Sequence, residues 1–187
     1  MRTEQLRKNY EIDVQWKAFP LHPDTPEEGL SLEELYAGRG VDIHKVRLRL
    51  KQVAQELGLP LGERKRTYNS RLAQELAKWA EAKGKGAPFD EAVFQAYFVD
   101  GKNIGKADEL VTLAGGIGLP EKEARSVIES RAFKEEVDAD WERSRFLGIT
   151  GVPTFVVGQR GIVGFQPYEG LEQFVKECGA RKRKNPD

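Results

Sequence analysis

The chain has 187 residues, in which 30 Lys and Arg balance 30 Asp and Glu, with two histidines and one cysteine. That length holds one domain with a sizeable insertion and a hydrophobic core, while zero formal net charge removes the field that steers a protein onto nucleic acid or acidic membrane and leaves a neutral partner or a small molecule. No apolar run approaches the ~18 residues of a membrane span, Met1 to Leu6 lack the apolar core of a signal peptide, and Cys178, His22 and His44 give neither a disulfide nor a metal-ligand cluster, so the chain reads as cytoplasmic.

Residues 11–19 alternate Ile12, Val14, Trp16 and Ala18 with Asp13, Gln15 and Lys17, the period of a strand with one covered face, and Pro20 and Pro23 end it. Ser31 with Glu34 makes a capping box, Leu30 and Leu35 are placed for the hydrophobic staple, and a helix is predicted from about residue 32. Ile43, Val46, Leu50, Val53, Ala54 and Leu57 recur at helical spacing until Gly58 and Pro60 stop them. Further helices are predicted at 70–83, 90–99, 107–117, 121–130 and 133–147. Thr154 to Val157 and Ile162 to Phe165 read as two strands joined by Gly158, Gln159, Arg160 and Gly161. A last helix carries Tyr168, Leu171, Phe174, Val175 and Cys178 on one stripe, and Arg181 to Lys184 form a solvated, frayed end. The order describes an α/β domain, residues 1–24 and 148–187, interrupted by a helical insertion over 25–147.

Residues 148–155, Gly148 to Phe155, carry the most specific signal. Proline narrows the trans preference to roughly 0.5–1 kcal/mol, so Val152–Pro153 is a candidate cis bond. Such a turn would present the N–H and C=O of Val152 outward, where an extended peptide or a glutathione backbone could add as a short strand. The plainer reading is that Gly151 and Pro153 only start a strand.

Four stretches in order carry a resemblance: Trp16 to Asp24, Asn69 to Ala73, Phe94 to Phe98 with Gly101 to Ile104, and Leu147 to Phe155. From Leu6 to Cys178 the chain resembles the DsbA family of thioredoxin-like proteins, and its FrnE-like branch related to 2-hydroxychromene-2-carboxylate isomerases. The resemblance implies an α/β thioredoxin-like fold with a large all-helical insertion. It also implies a first strand and a Cys-x-x-Cys at the start of the next helix, where the helix N-terminus stabilises the leading thiolate. This sequence has neither. Residues 3–10 match the back half of that helix, and the strand, turn and motif would need roughly 20 more residues, so an N-terminally shortened chain is expected, with a scaffold that has shed its redox site as the alternative.

Two-cysteine exchange therefore has no thiol pair here, and Cys178 reads as a small core residue. The resemblance implies substrate contacts at Val152, Pro153 and Thr154, with Asn69 lining the cleft between domain and insertion, although Asn69 and Ser70 also read simply as helix caps. His22 borders the same region or is merely solvated. Trp79, Phe89, Phe94, Tyr97, Phe98, Phe133 and Trp141 are expected in the insertion's core. The expected function is a dithiol–disulfide oxidoreductase scaffold acting on thiol or disulfide peptides, without a cofactor. A glutathione-dependent isomerase or transferase, with glutathione as substrate or cofactor, and a non-catalytic binding module are the alternatives. Unpaired sheet edges leave homodimerisation open.

Overall fold

A computed structural model describes residues 2–184. The chain divides into two compact units, one built from residues up to Leu21 and from Ala139 onward, the other from His22 to Asp138.

In the first unit, helix α1 (Arg2–Asn9) and helix α9 (Tyr168–Glu177) flank an antiparallel hairpin, β3 (Thr154–Val157) and β4 (Arg160–Val163). Their shared core is Leu6, Tyr10, Leu171, Phe174 and Val175, with Ile12, Phe155, Ile162 and Cys178 packed against it. Cys178 is thus half-buried beside apolar neighbours. The predicted strand over 11–19 is not formed. Residues 12–20 have no regular secondary structure and Trp16 is 61% exposed. A period-two pattern becomes a strand only with a ladder beside it, and among the described residues no strand pairs here; the segment is held instead by the buried Asp140, whose Oδ2 accepts from Ala18 N at 3.0 Å and whose Oδ1 meets Lys17 Nζ at 3.3 Å. The basic tail is also less free than expected. Arg183 N donates to Asn9 O at 2.8 Å and Arg183 Nε to Arg7 O and Tyr10 O, occupying terminal carbonyls of α1 with a cation where the helix dipole favours one.

In the second unit the capping box forms as predicted: Ser31 Oγ accepts from Glu34 N at 3.0 Å and Ser31 N donates to Glu34 Oε2 at 2.7 Å. The helix it starts, α2 (Leu32–Leu35), has only four residues before Gly38 and Gly40 take φ of 71° and 63°. Helix α3 (Ile43–Glu56) follows, capped by Asp42. Strands β1 (Leu30–Ser31) and β2 (Arg66–Thr67) form a two-residue ladder too short for the sequence pattern to show.

Helices α4 (Arg71–Ala82), α5 (Gly86–Phe94), α6 (Ala107–Gly116) and α7 (Glu121–Ser130) enclose Leu76, Trp79, Phe89, Leu110, Ala114 and Ile128. Full burial of such side chains stabilises by about 1.5–3 kcal/mol each. Helix α5 starts four residues before the predicted 90, because Pro88 falls in its first turn, where a missing N–H costs nothing. Residues Gln95–Val99 close it as a π-helical turn.

Helix α8 (Lys134–Phe146) contains the boundary between the units. Glu75, 3% exposed, ties α4 to the α7–α8 junction: Arg131 reaches both of its oxygens at 2.7 Å and Arg71 takes Oε1. Arg131 has φ 53°, a left-handed conformation costing a non-glycine residue about 1–2 kcal/mol, and this paired grip holds it. Arg71 also reaches Asp138 at 2.7 Å and Lys134 O at 2.8 Å. Burial alone would raise the Glu75 carboxyl, but hydrogen bonds from Arg131 and Arg71 outweigh it and hold it low. Lys134 and then Arg71 lower Asp138 to about 2.

Glu75→Gln leaves two guanidinium groups without their carboxylate, so it should destabilise the second unit by about 3 kcal/mol in urea denaturation. Both carboxyls are depressed in the folded state. Their stabilisation is therefore complete only above about pH 5 and is lost progressively as the pH falls, for Asp138 down to about 2, and an acid titration of wild type against Glu75→Gln reads the Glu75 part.

Candidate functional site

The loop that begins this site is set by the end of α8. Gly148 takes φ 65°, Gly148 N bonds Arg145 O at 3.0 Å and Ile149 N bonds Ser144 O at 2.9 Å, the paired closure that a glycine just past a helix end permits. Four residues later the Val152–Pro153 peptide bond is cis. Val152 is 51% exposed, and among the described residues neither its N–H nor its C=O has a hydrogen-bond partner. Thr154 Oγ1 donates to Gly151 O at 2.7 Å, pinning the loop to the first residue of β3.

The hairpin register decides which backbone groups are free. Val157 pairs with Arg160 across a two-residue loop, Gly158 and Gln159, not the four-residue loop expected. Gly158 has φ 63°, at the loop position where a II′ turn needs glycine. Residues flanking such a loop exchange both main-chain bonds, and the pattern then alternates along the ladder. Val157 and Phe155 therefore bond β4, and Gly164 N continues the phase by donating to Pro153 O at 2.7 Å. The N–H and C=O groups of Thr154 and Val156 point the other way. That edge of β3 has no partner strand among the described residues.

Side chains follow the complementary alternation. Phe155 and Ile162 face the core of the first unit, and Arg160, on the same face, bonds Glu177 of α9 through its O and Oε2 at 2.9 and 3.0 Å. Thr154, Val156 and Val163 face away, lining with Leu147 and Ile149 an open groove of about 250 Å³. The structure thus brings Val152, Pro153 and Thr154 together on one edge and adds Val156, which the sequence reading missed. The two-residue turn at Gly158 was the signal that would have found it.

Asn69 lies in the second unit. Its Nδ2 donates to Pro23 O at 3.1 Å and Thr25 O at 2.8 Å, and its Oδ1 accepts from Arg71 N at 2.9 Å. It therefore caps α4 and fastens the Pro23–Thr25 turn. Ser70 makes no side-chain cap and its Oγ accepts from Gln74 Nε2. His22 is half-buried, its pKa lowered by burial and then by the charges of Arg39 and Arg64.

The aromatic set does not all enter the core. Trp79 and Phe89 are buried, and Tyr97 and Phe133 pack beside them, but Phe94 is 59% and Phe98 36% exposed and Trp141 belongs to the first unit. Phe94 follows Val93 by one residue and so stands about 100° round the helix from the line of Phe89 and Val93 that packs on the core, and Phe98 lies beside it with ring centres 5.9 Å apart. Arg64 covers Tyr97 and Phe98 at 4.6 and 5.5 Å from the ring centres, and Tyr97 Oη contacts both Arg64 and Thr67.

The Bacillus subtilis protein YwbO, itself uncharacterized, is 26% identical over 188 residues, covering 96% of this chain and 88% of its own. A solved structure, the probable DsbA oxidoreductase SCO1869 of Streptomyces coelicolor, superposes with a TM-score of 0.82 at 26% identity, covering 94% of this chain and 81% of the other. A 2-hydroxychromene-2-carboxylate isomerase shares the fold at a TM-score of 0.70 and 21% identity, over 95% and 85% of the two chains. The model of the DSBA-like thioredoxin domain matches residues 1–176. A family model that spans nearly the whole chain settles its membership: the chain belongs to the DSBA-like thioredoxin domain family.

Proposed function

We propose that this chain carries the polypeptide-docking part of a FrnE-like, cytoplasmic dithiol–disulfide oxidoreductase, binding an extended segment of a thiol or disulfide protein along the free edge of β3. The observation that carries this reading is the row of unpartnered main-chain groups at Val152, Thr154 and Val156 in a DSBA-like thioredoxin chain. An added strand would take its main-chain bonds from that row, so recognition is by backbone and tolerates many sequences. Asn69 positions the Pro23–Thr25 turn within the second unit.

The role assigned to this chain is docking without exchange. Exchange needs an attacking and a resolving thiolate, and the one cysteine, Cys178, is half-buried in the core of the first unit.

Two expected outcomes test the reading. The 187-residue chain should give no turnover in an insulin-reduction assay, and turnover abolished by Cys178→Ala would contradict the role given to that thiol. An unstructured ten-residue peptide of Ser and Val should bind measurably by fluorescence anisotropy, and N-methylation of two alternate amides should weaken it at least tenfold, as expected for bonds of about 1 kcal/mol each. Unchanged affinity on N-methylation, or saturable glutathione binding that the peptide does not displace, would overturn it.

A further inference from the structure

Helix α3 carries an apolar stripe that the second unit leaves largely open. None of its 14 residues is buried, and Val46, Leu50 and Leu57 are 40%, 53% and 40% exposed. A helix of this length is marginal in water without tertiary packing, so an apolar stripe left open along it calls for a partner.

The pattern of that stripe identifies the partner's shape. Ile43, Val46, Leu50, Val53 and Leu57 alternate spacings of three and four, the a and d positions of two heptads. Arg47 and Arg49 stand at e and g, each about 80° from the centre of the stripe, with Lys45 and Lys51 further round and no acidic residue from 43 to 55. A strict a/d seam is the narrow contact of a helix pair, whereas a helix lying on a bilayer presents a broad apolar face, commonly with aromatic anchors. Helix α3 has no aromatic residue.

Charge then separates a second copy from a different partner. An antiparallel pair of α3 helices sets Arg49 against Arg49 and Arg47 against Arg47 in one register, and in the register one heptad along it pairs Arg49 with Glu56 but leaves Arg47 facing Ala54. A parallel pair relieves Arg47 with Asp42 but leaves Arg49 facing Ala54. Asp42 is moreover engaged as the N-cap, accepting from Lys45 N at 3.0 Å. A helix with carboxylates at its own e and g positions meets both arginines.

We propose that α3 is a docking helix for an amphipathic helix with an apolar a/d seam and acidic flanks. The test uses two synthetic 21-residue peptides with Ile at every a and Leu at every d, one with Glu and one with Lys at every e and g, labelled for fluorescence anisotropy against the full chain at physiological salt. The acidic peptide should bind at least tenfold tighter than the basic one. Leu50→Glu should abolish binding, and Arg49→Glu should reduce the preference for the acidic peptide at least fivefold. Arg49 is chosen because Arg47 also donates to Arg64 O at 2.8 Å, and circular dichroism confirms that each exposed-site variant stays folded. Equal affinity for both peptides, no saturable binding of the acidic one, a dimer in sedimentation that Leu50→Glu dissolves, or α3-dependent binding to phosphatidylglycerol vesicles in place of peptide would each overturn the proposal.

Discussion

A strand has hydrogen-bonding capacity along both edges, and β4 satisfies only one edge of β3. The local organisation of the first unit follows from that asymmetry. Val157 and Phe155 spend their main-chain groups on Arg160 and Ile162, which directs those of Thr154 and Val156 outward. The side chains are divided just as strictly, with Phe155 and Ile162 committed to the core around Leu171 and Phe174. Net contributions of about 1 kcal/mol per bond are small against the cost of association, so an extended ligand on this edge depends on several bonds made together. The loop from Gly148 to Pro153 matters because it leaves the exposed, unpaired Val152 just ahead of that row.

The two units use different physical means to hold their elements. The second is a helical core in which Leu76, Phe89 and Leu110 are fully buried, fastened at its α4–α7–α8 corner by the Glu75 carboxylate between Arg71 and Arg131. The first buries fewer residues and relies on its termini: Tyr10 pairs with Lys182, Glu11 N donates to Arg181 O at 2.8 Å, and Arg183 covers the end of α1. Residues near the two ends of the chain are thereby joined, and the hairpin rests on the helices they organise.

Much of this was legible from the residues because the signals were local. Ser31 and Glu34 specify a helix start by themselves, Gly158 marks a turn, and the stripes of α4, α7 and α9 follow from their spacing. What failed depended on distant partners or on which face of a helix meets the core. The alternation from Ile12 to Ala18 is genuine, yet a ladder requires a neighbour that no local pattern encodes. Phe94 and Phe98 keep helical spacing with each other and pack ring beside ring, but on the face turned away from the Phe89 and Val93 line that meets the core. The docking edge was half legible. Gly151 to Thr154 announced the loop, whereas Val156 emerged only once the two-residue turn had fixed the phase of the hairpin.

Amide-resolved hydrogen exchange by NMR tests this edge most directly. In the free chain the amides of Phe155 and Val157 should be protected while those of Thr154 and Val156 exchange quickly, and a saturating extended peptide should slow Thr154 and Val156 at least tenfold. Thr154 and Val156 amides already protected in the free chain, or unchanged with peptide bound, would contradict the account.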